Sequence, residues 1–301
     1  MTKKLLILLG ITSMLSAGCV KSSNEDEARY NAALLTQCFN VTDEDEKSIS
    51  TKILQKDFTL DVEKHIICIG QNISNKKFRL IDNKTDTIIK DKDGNEIEGE
   101  EDDGKVTFKN IPKTYKDVTV LISYTTSSLG DSSDHNETST DTFAIRPYEF
   151  NITLRKKSLK IGESTPLYLE VIDYKNNIVQ DYSESSINLE ANTTDNIPVQ
   201  YSFDIKNGKS LPSAIIQFLK AKNNISVIFR DKNFASIDAD DTIDSCLDIN
   251  GTVEGIDVTK NYKSWAGSST ENSSNNPKNK TINSKIKQNQ NRDLHFQKMG
   301  W

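Results

Sequence analysis

Apolar and polar residues alternate with a period of two along most of the chain between residues 50 and 240. The clearest segments are Phe58–Val62, Lys77–Ile81, Lys105–Phe108, Val118–Tyr124, Phe150–Leu154, Ile187–Ala191 and Val199–Ile205. This period is typical of strands that bury one face. Short strands at close spacing, with turn residues between them, predict an all-β protein built from sandwiches.

Two changes in the pattern divide the chain into domains. The polar stretch 127–142 predicts a loop or linker, which places one β-sandwich at 50–142 and a second, immunoglobulin-like one at 143–262. Residues 263–301 are mostly Ser, Asn, Lys and Thr, too polar to offset the entropy of ordering, so we expect a disordered tail. Residues 19–49 are expected to form a polar tether with a short helix.

The first residues have the character of a leader. Lys3 and Lys4 precede an apolar stretch, Leu5–Met14, which is within the range of a signal peptide and too short to span a bilayer. Small residues then lead to Cys19. We therefore interpret residues 1–18 as a cleaved leader.

The run Leu15-Ser16-Ala17-Gly18-Cys19 resembles the lipobox of bacterial lipoproteins. The resemblance implies that Cys19 becomes the lipid-modified N-terminus and carries acyl chains such as palmitate in the membrane. Val20 at the next position resembles an outer-membrane sorting signal. An ordinary signal peptide with an incidental cysteine is the alternative.

Charge and cysteine content restrict the partners and the redox chemistry. The net charge is -6, and no long basic run lies in the folded region, so we expect no nucleic-acid partner. If Cys19 is acylated, we favour a disulfide between Cys38 and Cys68, because both lie in the N-terminal half. The stretch 65–70 is apolar and β-branched and is expected to be a strand.

Two segments resemble modules of bacterial surface proteins. Residues 102–112 are similar to the strand and turn of prealbumin-like sandwiches, which implies such a fold for the N-terminal domain. Residues 140–260 resemble a domain of unknown function in large surface or pilus-biogenesis proteins of the mannose-sensitive haemagglutinin type. That resemblance is carried by Thr142–Pro147, Lys160–Glu163, Leu167–Asp173, Ala235–Thr242 and Cys246. It implies adhesion or association with a pilus.

Two acidic groups are candidates for calcium, which prefers several oxygen ligands. Asp238, Asp240 and Asp241 lie at a domain end, which we interpret as a solvated strand end, with a weak calcium site as the alternative. The segment 96–103 holds six acidic residues, which we interpret as a solvated acidic loop. We expect no other cofactor.

Catalytic motifs are absent from the sequence. It contains no Gly-x-Ser-x-Gly, His-Glu-x-x-His or phosphate-binding glycine loop, and its three histidines, His65, His135 and His295, are far apart. A carbohydrate hydrolase would need an exposed His65 beside a carboxylate in a cleft. We therefore expect a non-enzymatic protein.

These features lead to one expected function and one alternative. We expect a lipid-anchored protein of the bacterial outer membrane, with an adhesin-like or pilus-associated binding module and an envelope or surface protein as partner. The alternative is a periplasmic structural or assembly factor of the outer membrane. The sequence features are common to both.

Overall fold

The computed structural model describes residues 37–44, 48–128, 131–240 and 242–260. Cys19 and its lipobox, the predicted tether helix and the predicted tail lie outside these residues. The described part is all-β and forms two consecutive β-sandwiches, which confirms the predicted fold class. No helix within it is long and apolar enough to span a membrane.

The first sandwich is built from ten strands. They are β1 (Phe39–Thr42), β2 (Lys52–Ile53), β3 (Phe58–Lys64), β4 (Asn72–Asp82), β5 (Thr87–Ile88), β6 (Glu100–Asp102), β7 (Lys105–Phe108), β8 (Tyr115–Ser128), β9 (Asp131–Thr138) and β10 (Phe143–Arg146). One sheet has the order β1-β3-β7-β6 and the other β2-β10-β8-β4-β5, with β9 on β8. A 3-10 helix, Ile66–Cys68, follows β3.

Alternating side chains of the two sheets fill the core of the first sandwich. Phe78 lies opposite Ile122 and Leu80 opposite Val120 in one sheet. In the facing sheet, Leu60 lies opposite Val106. All of these side chains are buried. The period of two therefore places one face of each strand in the core.

The second sandwich also has ten strands. They are β11 (Glu149–Leu154), β12 (Ser158–Lys160), β13 (Ser164–Ile172), β14 (Leu189–Thr193), β15 (Val199–Ser202), β16 (Ile205–Lys206), β17 (Lys209–Ser210), β18 (Ile215–Phe218), β19 (Lys222–Asp231) and β20 (Ile249–Thr259). Its described helical turns are short: Ser186–Asn188, Ser236–Asp238 and Asp244–Leu247. The last two lie between β19 and β20.

Both sandwiches have the strand order of immunoglobulin domains, with A, B, E and D in one sheet and C, F and G in the other. In the second sandwich, β11, β13, β18 and β15 take the first set of places and β14, β19 and β20 the second. In the first, β1, β3, β7 and β6 are matched by β4, β8 and β10. In each, a short strand pairs in parallel with the last one, β2 with β10 and β12 with β20. The N-terminal domain was expected to be prealbumin-like. It has the same immunoglobulin-type strand order as the second sandwich.

The stretch 127–142, expected to be a loop or linker, instead contains strand β9. It forms a hairpin with β8, with Leu121 opposite Thr138 and Ser128 opposite Asp131. Polar side chains pair across it, such as Thr125 with Asp134 at 2.8 Å. Both faces of β9 are largely exposed, so the strand lacks the alternation that reveals a strand in a sequence.

The predicted domain boundaries also shift. The sequence predicts that the second domain begins at residue 143, which would include β10. This strand instead pairs with β8 and β2 of the first sandwich. Its Phe143 and Ile145 are buried in that core. The predicted tether, 19–49, contains β1. This strand belongs to the first sandwich, because it pairs with β3.

Candidate functional site

The end of the first sandwich where the described chain begins is held by a disulfide. Cys38 is bonded to Cys68, as predicted, with Cα atoms 5.3 Å apart. The stretch 65–70 was expected to be a strand, but it contains the 3-10 helix Ile66–Cys68. The disulfide holds this helix at Cys68. Cys19 lies outside the described residues.

The two described histidines lie in different settings. His65 is 1% exposed, and its Nδ1–H donates to the carbonyl of Gln37 over 2.8 Å. His135 lies on β9, stacks on Tyr124 with ring centroids 5.1 Å apart, and contacts the hydroxyl of Thr126 at 2.9 Å. The exposed His65 that a hydrolase would need is therefore not present.

A buried polar cluster joins the two sandwiches. Asp238 is fully buried, and its Oδ2 accepts hydrogen bonds from the amide of Ala144, at 2.9 Å, and from the hydroxyl of Thr51. The amide of Thr51 donates to the hydroxyl of Thr242 over 3.0 Å. Ala144 and Thr51 belong to the first sandwich and the other two residues to the second. The bonds therefore fasten the turn after β19 to the first domain.

The charges around this cluster shift the pKa values of its members. Burial is the main reason that the pKa of Asp238 is raised, and nearby Asp141 adds to it; against the lowering effect of its hydrogen bonds and of Lys52, the pKa comes to about 7. Its second oxygen, Oδ1, has no hydrogen-bond partner among the described residues. Burial also lowers the pKa of Lys52, and its ion pair with Asp43 counters only part of this lowering. Desolvation thus favours the neutral form of Asp238.

Arg146 provides the second fastening of the joint. Its Nε donates to the carbonyl of Cys246 over 2.7 Å, and its NH1 donates to the carbonyls of Pro147 and Tyr148 over 2.7 and 2.8 Å. The guanidinium is buried, which lowers its pKa to about 10. The five N–H donors of a guanidinium, held in a rigid fork, suit such a set of carbonyls.

Further contacts close the rim of the joint. The amide of Leu54 donates to the carbonyl of Arg146 at 2.8 Å, and the amide of Tyr174 donates to the carbonyl of Leu54 at 3.1 Å. On the same rim, the amide of Thr114 donates to Asp181 over 2.8 Å. Since buried and rim contacts act together, the two sandwiches form one body, and residues 37–260 fall within one compact unit.

A groove of about 480 Å³ lies beside the joint and is lined from both sandwiches. Its walls include Asp82, Lys113, Tyr115, Lys116, Asp181 and Phe234. The ammonium of Lys116 lies 5.1 Å from the ring centre of Phe234, and that of Lys113 lies 5.1 Å from the ring centre of Tyr115. Burial raises the pKa of the Tyr115 hydroxyl to about 12. Tyr115 and Phe234 are buried beneath these lysines, so the groove presents mainly charged side chains of both signs.

The structure does not bring the predicted calcium ligands together. Asp238 is buried in the joint, whereas Asp240 is exposed, and Asp241 lies outside the described residues. In the described ranges no group of three or more His, Cys, Asp or Glu side chains is placed to hold a metal ion. Of the two described ligands, Asp238 lies in the joint, where its Oδ2 accepts the hydrogen bonds of Ala144 and Thr51, and Asp240 lies at the surface.

The acidic segment 96–103 is charge-compensated rather than a free loop. Glu96 pairs with Arg79 at 2.9 Å and Glu98 with Lys77 at 3.2 Å. Glu100 pairs with Lys109, which follows β7, at 2.6 Å. These surface pairs contribute little stability each, and the one at Glu100 places charge on the edge strand β6.

Sequence reasoning found only part of this site. The sequence does indicate a joint at Arg146 and Pro147, because a proline favours an extended entry and the arginine before it can pair across a domain joint. Thr51, Ala144 and Asp238 carry no such signal, because they are polar or small residues far apart in the chain. Only the folded topology brings them together.

Comparisons with known proteins give distant likenesses. No family model matches the sequence, and no curated protein is similar to it. Among solved structures, it is similar to the Escherichia coli adhesin FdeC (14% identity, 64% of this chain and 57% of that one, TM-score 0.25). It is also similar to the Yersinia pseudotuberculosis adhesin InvE (12%, 68% and 56%, TM-score 0.24). The S-layer protein SbsC, domains 5–6, is a third (13%, 70% and 93%, TM-score 0.23). Likenesses at these TM-scores carry no conclusion about function.

Proposed function

We propose that this chain is a lipid-anchored, non-enzymatic binding module of the bacterial outer membrane, adhesin-like or pilus-associated. The observation that carries the binding role is the groove lined by both sandwiches beside a joint of buried hydrogen bonds. A surface that is rigid before binding loses little conformational entropy when a partner docks. The lipobox-like run that ends at Cys19 supports the anchor.

The groove is tested by reversing charge within it. Bacteria that produce the Lys113→Glu/Lys116→Glu protein should adhere to host cells or to sister cells less than the wild type, because both lysines lie over aromatic rings of the groove. Lys206→Glu/Lys220→Glu, which reverses the same number of charges at exposed lysines outside the groove, is the control for net charge. Equal adhesion by all three strains would reject the groove as the contact surface.

The anchor is tested by palmitate labelling and cell fractionation. The Cys19→Ser protein should lose both the label and the membrane, whereas Ser22→Ala should keep them. Unchanged membrane association of Cys19→Ser would contradict the anchor.

Orientation separates the adhesin from the alternative, a periplasmic structural or assembly factor. Intact cells are treated with protease and probed with an antibody against residues 145–240. Loss of the signal would support a surface role. Protection until the outer membrane is opened would favour the periplasmic role.

A further inference from the structure

Three isoleucines are exposed together in the turn after β3. Ile66, Ile67 and Ile69 are 74%, 45% and 68% exposed, and Gly70 follows them. Single exposed apolar residues are normal on a protein surface, but a contiguous apolar patch marks a contact with another molecule or a membrane. We call these three residues the isoleucine turn.

The isoleucine turn is held in this exposed arrangement by its own inward-facing residues. Cys68, in the same turn, is buried and bonded to Cys38. His65 is buried, and its amide donates to the carbonyl of Cys38 over 2.9 Å. Within the turn, the amide of Ile69 donates to the carbonyl of Ile66 over 3.1 Å. Because these bonds fix the backbone, the apolar side chains stay outside the core.

The strand register places the isoleucine turn at the end of the first sandwich that faces away from the joint. β3 ends at Lys64, which pairs with Phe39 at the start of β1, whereas β10 ends at Arg146 in the joint. The described chain begins beside the turn, since Gln37 accepts the hydrogen bond of His65. The segment that leads back to Cys19 therefore leaves the fold next to the isoleucine turn.

We propose that the isoleucine turn inserts into the surface of the membrane that holds the Cys19 anchor, and this inference rests on the proposed anchor. The roughly 17 residues between Cys19 and Gln37 reach at most about 60 Å when extended and average about 25 Å as a coil. The tether therefore keeps the turn within reach of the bilayer. The turn itself has no charged side chain, so its burial among lipid costs no charge desolvation.

The anchor strengthens the membrane binding of a weak apolar insertion of this kind. A single shallow contact binds a membrane reversibly, whereas two linked signals hold a protein there. Inserted, the turn would orient the first sandwich toward the lipid and the second sandwich away from it. The groove beside the joint would then lie at a fixed distance from the membrane surface.

The test uses a tryptophan as a depth probe. Trp265 and Trp301 are replaced by Phe, and Ile66→Trp is introduced into the full mature chain. Residue 20 carries a histidine tag that tethers the chain to phosphatidylcholine vesicles containing a nickel-chelating lipid. Ile187→Trp, at an 87% exposed position of the second sandwich, is the matched control.

The proposal predicts that emission from Ile66→Trp shifts to shorter wavelength on vesicles and is quenched by bromine on the acyl chains. Emission from Ile187→Trp should do neither. Equal emission with and without vesicles for Ile66→Trp would overturn the insertion, whatever partner the turn has instead. The tag replaces the acyl anchor, so a failure of acylation is detected separately, as loss of palmitate label on the wild-type chain.

Discussion

The Oδ2 atom of Asp238, in the second sandwich, accepts a hydrogen bond from the amide of Ala144, in the first, over 2.9 Å. Ala144 lies on β10, the last strand of its sandwich, and Asp238 lies in the turn after β19. One carboxyl group thus holds a strand of one domain to a turn of the next. A buried carboxyl in such a place makes the joint sensitive to pH.

The first prediction is that Asp238→Asn becomes more stable relative to the wild type as pH rises. The pKa of Asp238 is about 7 in the folded chain and near 3.9 when unfolded, so between these values the folded chain binds the extra proton. The stabilising contribution of that proton is fully present below about pH 4 and is lost as pH rises through about 7. Asn does not titrate, so the variant keeps its stability as pH rises. The difference in unfolding free energy between the variant and the wild type should therefore grow by on the order of 4 kcal/mol.

Urea denaturation at several pH values between 4 and 8 measures that difference. Asp240→Asn removes the same charge two residues later at an exposed position, and it should run parallel to the wild type. A difference between Asp238→Asn and the wild type that is constant with pH would show that folding does not raise the pKa of Asp238.

The second prediction concerns Arg146. Arg146→Met fills a similar space but removes the hydrogen bonds to the carbonyls of Cys246, Pro147 and Tyr148. Unsatisfied buried carbonyls cost about 1–3 kcal/mol each, and the two sandwiches should come apart more readily. Calorimetry should then show two unfolding transitions where the wild type shows one.

Arg155→Met is the control, because Arg155 is exposed and lies outside the joint. It should retain one transition. If Arg146→Met also unfolds in one step at an unchanged temperature, Arg146 does not couple the domains.

The third prediction concerns the disulfide between Cys38 and Cys68. The cysteines are 30 residues apart in sequence, and a loop of that size predicts a loss of about 3–4 kcal/mol for Cys38→Ser/Cys68→Ser. Thermal melting measures the change. Reductant should also lower the melting temperature of the wild type. A double variant as stable as the wild type would mean that the disulfide restricts the unfolded chain little.

The sequence is a good guide to strands that bury one face and a poor guide to the rest. Phe58–Val62 and Lys105–Phe108 alternate and correspond to β3 and β7. β9 has no apolar face, so its pairing depends on polar contacts across the hairpin that no period reveals. The 3-10 turn at Ile66–Cys68 consists of strand-favouring residues, and the disulfide and the burial of His65 override that propensity.

The joint could not be predicted at residue level for a different reason. Thr51 and Asp238 are 187 residues apart, and each by itself is an ordinary polar residue. Pro147 indicates an extended connection. The strand before it, β10, belongs to the first sandwich because it pairs in parallel with β2. Pairings of this kind depend on the whole topology.

The fourth prediction tests how closely the two sheets of the second sandwich approach each other. A Cβ atom on Gly251, in β20, would overlap the backbone carbonyl oxygen of Phe150 and lie 2.9 Å from the Cδ1 atom of Ile152, both in β11. β11 cannot move aside easily, because it pairs with β13 along its whole length. Gly251→Ala should therefore lower the free energy of unfolding by more than about 2 kcal/mol, although alanine suits strands no worse than glycine. Asn250→Ala, at the exposed neighbouring position, should have little effect in the same urea titration. If both variants unfold like the wild type, β11 and β20 are further apart than described, and the closure of this sandwich must depend on other contacts.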